Sequence, residues 1–251
     1  MYAKCGMLDR SQELFDELLV RNVVSWNALI DGYAHQGKSK EALIHFERMQ
    51  KEGFSPDVVT YICVLKACAS IQALDKGKKI HNVIIQQRLI EKNIMFSTAL
   101  INMYGTCGAL KVAEQVFHEL PNQKIVCWNA LIAGYVEQGK SEKALNCFER
   151  MIREDIEPNA ITYISGLKAC GSIGSLEKIK QIHECISKSN ILEKHTALAN
   201  ALVDMCAKCG ALAMSQALFY ELPVHDTVCW NALICGYTQQ CQAGEALNLF
   251  Y

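Results

Sequence analysis

"WNALI" occupies residues 26–30 and returns at 128–132 and 230–234, each copy 102 residues after the one before. Other markers keep the same period. Pro56 pairs with Pro158 and Pro121 with Pro223, so all four prolines obey it. Cys5, Cys107 and Cys209 form one cysteine series, and Cys68 and Cys170 another. Self-similarity at a fixed period indicates a chain built by repetition, and it changes how every local motif is read.

One such motif follows the first copy. "GYAHQGKS" (32–39) and "GYVEQGKS" (134–141) both fit the G-x-x-x-x-G-K-[ST] spacing of a phosphate-binding loop, but "GYTQQCQA" (236–243) does not. A working phosphate loop follows a buried strand and opens a helix. Here Trp26, Leu29, Ile30 and Tyr33 precede it at i, i+3, i+4, i+7, which is the stripe of a helix. The stretch is therefore expected to be the turn of a helical hairpin. Gly37 ends one helix, and Ser39 is expected to cap the next.

The wider composition agrees with helices. Of 251 residues, 51% are hydrophobic and only four are proline, enough to bury a core and too few for a turn-rich β fold. The formal net charge of −1 offers no global attraction to nucleic acid or to an anionic membrane. No apolar run reaches the length of a membrane span, and no secretory signal opens the chain.

The 102-residue unit subdivides. After the Trp26 stripe comes a second, Ala42, Leu43, Phe46 and Met49, closed by "GFSPD" with Gly53 and Pro56 as breakers. This sets boundaries at 23–57, 58–93 and 94–124, then 125–159, 160–195 and 196–226, with partial repeats at 1–22 and 227–251. Lengths run 35, 36, 31 in both rounds. Each repeat is two amphipathic helices of about a dozen residues, and one pair cannot bury its apolar faces without neighbours. The expected fold is all-α, a superhelical solenoid of helix-turn-helix repeats with about 15 helices.

Hairpins of this length carrying "VVSWNALIDGY", "VLKAC" and "MYAKCG" resemble the pentatricopeptide repeat family. The length triplet resembles its plant-type subclass of P, L and S repeats. By that resemblance 23–57 and 125–159 are P-type, 58–93 and 160–195 L-type, and 94–124 and 196–226 S-type, with a partial S-type repeat first and a partial P-type repeat last. The resemblance covers essentially the whole chain. Met1–Leu18 aligns with Met205–Leu222, so the chain begins inside a hairpin and ends inside another, as expected for a piece of a longer array.

The resemblance implies a partner: single-stranded RNA, one base per repeat, read by the fifth and last residues. In the P-type repeats these are Asn27 with Asp57 and Asn129 with Asn159; in the second S-type repeat they are Asn200 with Asp226. A carboxylate accepts from uracil N3–H, so Asn27/Asp57 and Asn200/Asp226 should favour U. The amide of Asn159 also donates, so C becomes acceptable. Asn231 is expected to read a pyrimidine. Thr98 with Lys124 departs from the family's combinations, and its base stays open. Ile62 with Asn93 and Ile164 with His195 offer no polar fifth residue and are not expected to read bases. Against base reading stands a plainer role for the Asn residues, as caps at a helix start.

Second residues are apolar throughout: Val24, Val59, Met95, Val126, Ile161, Ala197 and Val228. In the family such residues sandwich each base; the plainer role is first-turn core packing. The lysines of "DKGKK" (75–79) and "EKIK" (177–180) read as solvated faces or as phosphate contacts.

No catalytic constellation is encoded. Cys206-x-x-Cys209 lacks a second ligand pair at zinc spacing, so no metal and no cofactor are expected. The recurrent cysteines are read as small buried hydrophobes in a reducing compartment. A cytidine deaminase needs H-x-E and P-C-x-x-C. His45-Phe46-Glu47 supplies the first, but Phe46 belongs to a core stripe and the next round reads Cys147-Phe148-Glu149. His81 and His183 also recur at the period and are expected to pack. The implied function is organellar RNA processing without catalysis: the specificity part of a C-to-U editing factor, with editing-complex proteins or a deaminase acting in trans. The implied compartment is mitochondrion, ahead of chloroplast. The alternative for the same hairpins is a helical scaffold for protein–protein interaction.

Overall fold

The computed structural model describes residues 6–89, 93–189, 191–192, 195–222 and 225–250. Cys5 and Pro223, used above to establish the period, lie outside them. The described residues form fifteen α-helices and no strand. They fall into two compact units divided between Gln123 and Lys124.

The first unit holds α1 (Leu8–Glu17), α2 (Val23–His35), α3 (Ser39–Lys51), α4 (Val58–Ser70), α5 (Leu74–Gln86), α6 (Ile94–Thr106) and α7 (Leu110–His118). The second holds α8 (Ile125–Glu137), α9 (Ser141–Arg153), α10 (Ala160–Ile173), α11 (Leu176–Ser189), α12 (Thr196–Lys208), α13 (Leu212–Glu221), α14 (Thr227–Gln239) and α15 (Ala243–Phe250). Within each unit the even helices are first members of hairpins and the odd helices second members.

First and second helices have different jobs, and the packing explains their composition. In the first unit α4 touches α2, α3, α5 and α6; in the second α10 touches α8, α9, α11 and α12. A first helix is thus surrounded, and α4 buries eight of its thirteen residues, Thr60 to Leu65 with Ala67 and Cys68. A second helix packs mainly against first helices and buries one stripe. In α3 that stripe is Ala42, Leu43, Phe46 and Met49, the set read from the sequence, together with Ser39.

Trp26 anchors the first unit. It is fully buried, edge-on to Phe15 of α1 at 4.5 Å, with the Arg48 guanidinium 5.6 Å from its ring. Desolvated aromatic contacts of this kind carry much of a small core's stabilisation. Trp128 is as deeply buried, whereas Trp230 is half-buried, edge-on to Phe219 at 4.6 Å.

The stretch that resembled a phosphate loop is a helix stop. Gly37 has φ +74°, its N–H bonds to the Ala34 carbonyl, and the Lys38 N–H bonds to the Tyr33 carbonyl. That double bond is a Schellman ending, and the left-handed φ favours glycine. The same pair of bonds closes α8 at Gly139 and Lys140. It also closes α14 at Cys241 and Gln242, where φ is +58° without a glycine. One geometry therefore serves all three copies, including the copy without Gly-Lys-Ser.

Ser39 is not the cap of α3. Lys38 takes that place and makes no side-chain cap bond, because the Schellman turn feeds the helix directly. Ser39 lies in the first turn, buried, with its hydroxyl against that of Ser70, 2.5 Å away.

The cysteines divide. Cys68 and Cys170 are buried, and burial pushes each thiol up to about 11, so both act as small apolar side chains. Cys107 and Cys209 are only half-buried, so the buried reading fails for these two; the non-recurrent Cys185, Cys235 and Cys241 are exposed. His81 does pack: its Nδ1 sits 2.8 Å from the Tyr104 hydroxyl. His45 packs on the Tyr33 ring at 4.7 Å.

Candidate nucleic-acid interface

The fifth residue of a hairpin and the first cap of the following hairpin meet in three places. Asn27 lies inside α2, 7% exposed, and its Nδ2 donates to Asp57 Oδ1 at 2.9 Å. In the second unit Asn129 Nδ2 donates to Asn159 Oδ1 at 3.2 Å. Asn200 Nδ2 donates to both oxygens of Asp226, at 3.0 and 2.9 Å.

These contacts settle which residue caps. Asp57, Asn159 and Asp226 are the N-caps of α4, α10 and α14, each accepting from a backbone N–H three residues on. Asn27, Asn129 and Asn200 sit a full turn inside their helices. The capping role weighed for them does not hold, because the capping geometry is already filled one hairpin later.

A third residue joins the pair, and the sequence reading missed it. Thr60 accepts the Asp57 N–H at 3.1 Å and donates its own proton toward Asn27 Oδ1 at 2.5 Å. Thr162 does the same for Asn159 and Asn129, at 3.2 and 2.6 Å. The signal was available as capping boxes in "DVVT" and "NAIT", but nothing local says that the box also reaches back some thirty residues.

The chemistry left over differs between the copies. Asp57 Oδ1 accepts from the Thr60 N–H and from Asn27, and it lies 2.9 Å from the Thr60 hydroxyl oxygen. Oδ2 remains as an acceptor. Burial opposes the Asp57 charge, but the Thr60 N–H, the Asn27 amide and the Thr60 hydroxyl together hold its carboxyl below the usual value. In Asn159 the Oδ1 is held in the same way. A carboxamide has one oxygen, so its remaining group is the Nδ2 donor. For Asp226, the Cys229 N–H and then the Asn200 amide lower the carboxyl.

The second residues lie on the outside. Val24 is 73% exposed, Ile161 60% and Val228 61%, and Val59, Met95, Val126 and Ala197 are exposed too. First-turn core packing is thereby overturned. Each points outward from the start of a first helix, with the cap immediately before the helix and the fifth residue one turn on.

In the second unit these features line one open groove of about 870 Å³. Ala197, Asn200, Asp226, Val228 and Asn231 contribute, together with Ile164 and Lys168 of α10. Lys168 is exposed and was not foreseen as a site residue. Lys208 also lines the groove and is paired with Asp204 at 2.7 Å.

The remaining candidates are placed less tightly. Thr98 donates to the Ile94 carbonyl of its own helix at 3.2 Å. Lys124 precedes α8, exposed and without a side-chain cap bond. Asn231 is exposed. Ile62 is buried, Asn93 caps α6 through the Met95 N–H, and His195 precedes α12 without a cap bond. Lys76 and Lys178 bind the previous hairpin's glutamates, Glu47 and Glu149, at 2.8 and 2.9 Å, which gives part of each lysine run a structural role.

Comparison with known proteins now bears on the same residues. The model of the PPR repeat family matches residues 21–70 and 123–172, and that of the PPR repeat matches 1–23, 97–125 and 228–251. The chain belongs to the pentatricopeptide repeat family. A chloroplastic pentatricopeptide repeat-containing protein of Arabidopsis thaliana is 37% identical over 250 residues, all of this chain and 31% of that protein. A putative mitochondrial one from the same plant is 36% identical over 99% of this chain and 39% of its own length. The chain thus spans about a third of the curated relatives it matches. Among solved structures, the pentatricopeptide repeat protein PPR10 in complex with an 18-nucleotide psaJ RNA element matches with a TM-score of 0.81 at 21% identity, covering 99% of this chain and 38% of that one. At that identity the likeness shows the fold.

Proposed function

We propose that this pentatricopeptide repeat chain is a non-catalytic, sequence-selective binder of single-stranded RNA that assigns one base to each hairpin. The observation that carries the proposal is the repeated pair of a fifth-residue Asn and the next hairpin's cap, with one hydrogen-bonding group left over on Asp57 and on Asn159 beside exposed apolar second residues. Asp57 leaves an acceptor, which suits uracil N3–H. Asn159 leaves a donor, which suits cytosine N3. Asn200/Asp226 should favour U, and Asn231 a pyrimidine. Thr98/Lys124 is left without a base, and the Ile62 and Ile164 hairpins act as spacers. Val24, Val59, Met95, Val126, Ile161, Ala197 and Val228 press on base faces, where apolar contact tolerates any base.

The repeat lengths support a P, L, S organisation, and with it a place in C-to-U editing as the specificity part, the chemistry coming from a deaminase or editing-complex protein in trans. Relatives named chloroplastic and mitochondrial, and a neighbour solved with RNA, support an organellar transcript as the ligand.

The test is a set of oligouridylates, each carrying one U→C change at a successive position. Asp57→Asn keeps the cap and should move the preference at a single nucleotide from U toward C by about tenfold, the range of one charged hydrogen bond. Overall affinity should fall with rising salt. Unchanged base preference, or binding indifferent to salt, would instead favour the protein-binding scaffold.

A further inference from the structure

We propose that the third residue of each following first helix, Thr60 for Asn27 and Thr162 for Asn129, is a positioning residue that sets base discrimination one hairpin earlier. The proposal rests on the RNA-reading function above and deepens it. It also identifies Cys229 as the place where that control is missing.

An Asn amide is nearly symmetric, and a half-turn exchanges its donor and acceptor ends. Thr60 removes that freedom. Its oxygen already accepts the Asp57 N–H, and its single proton goes to the nearer acceptor, Asn27 Oδ1 at 2.5 Å rather than Asp57 Oδ1 at 2.9 Å. With Oδ1 engaged, Asn27 directs Nδ2 at Asp57, and Asp57 Oδ2 stays available for the base. The Thr162 set repeats this arrangement.

The third set shows the consequence of losing the hydroxyl. Cys229 stands three residues after Asp226, as Thr60 stands after Asp57. Its N–H still bonds Asp226, so the helix is capped. A thiol is a weak donor, and Asn200 Oδ1 is buried without any partner. Asn200 Nδ2 contacts both Asp226 oxygens, including the one that Asp57 keeps for a ligand. An amide unanchored at one end, facing a carboxylate already shared, discriminates U from C less sharply than the Asn27 set.

The experiment uses the full chain and the same stepped oligonucleotides, with binding constants measured for each. Asp57→Asn first identifies the nucleotide read by Asn27. At that nucleotide Thr60→Val should lower the U:C affinity ratio about fivefold, and Thr60→Ser should keep it, as expected for loss and retention of one hydrogen bond. Cys229→Thr, a gain rather than a loss, should raise the ratio about threefold at the nucleotide five places away, read by Asn200. A structural role alone would change affinity at all positions together and leave the ratios alone. If Asp57→Asn moves the preference while both Thr60→Val and Cys229→Thr leave the ratios unchanged, the positioning role is wrong. If Asp57→Asn itself moves nothing, the RNA-reading function falls, and this inference with it.

Discussion

Shifting the first unit by 102 residues places Asn27 on Asn129, Thr60 on Thr162 and Asp57 on Asn159. Two of the three residues are identical, and the hydrogen bonds among them are the same in both units. One change, a carboxylate oxygen to an amide NH₂, reverses what the set offers outward, from acceptor to donor. The lesson is that the scaffold bonds all fall on one atom of the cap, so the other is free to vary without disturbing the fold. Elsewhere the units differ in substance. Cys147 stands where the first unit has His45, and Cys206 where it has Tyr104. The first unit therefore holds two half-buried imidazole contacts, His45 on Tyr33 and His81 on Tyr104, whose exact counterparts the second lacks.

The largest expected test of this contrast is at the repeated tryptophan. Trp26→Ala should destabilise the chain by about 3–5 kcal/mol, the usual cost of removing a large buried aromatic. Trp230→Ala should cost roughly half of that, because half-buried surface contributes less transfer free energy. Denaturant melts of the two variants check this, and equal losses would mean that local sequence, not surroundings, sets the worth of the residue.

A middle-sized effect follows from acid. Burial lowers the values of both His45 and His81, so their neutral forms are the ones that fold. The unfolded chain takes up a proton first as pH falls through about 6.5. Stability is then present above that pH and declines below it, by at most about 1.4 kcal/mol per pH unit for each histidine. Thermal melts between pH 7.5 and 5.5 should show the first unit weakening, and His81→Gln should reduce the slope. A slope unaffected by that change would remove His81 from the account.

The smallest concerns the helix stop. Cys241 adopts the left-handed conformation that Gly37 and Gly139 occupy in the other copies. Cys241→Gly should stabilise the chain by about 1 kcal/mol, since the Cβ is what strains that turn. A melt shifted downward would show that the thiol makes a compensating contact.

Much of this was open to reading in the sequence. The Trp26 stripe and the Ala42 to Met49 stripe each describe a buried face, because a helix maps a 3.6-residue period directly onto one side. The helix stop was readable at Gly37 because only a few residue types relieve a positive φ. Ser39 misled because a serine after a glycine looks like a cap wherever the turn geometry is unknown. The exposure of Val24 and its six counterparts could not be read, since an apolar residue in a first turn suits core and groove alike until neighbours are in place.

By itself, then, the amino-acid order determined the helix pairs, their spacing and the repetition, because each depends on residues within a few positions of one another. Tertiary structure alone decided that a cap and its Thr, some thirty residues further on, hold the Asn amide of the preceding hairpin. Stacking brings those groups within about 3 Å, and no local pattern specifies a contact made between successive hairpins.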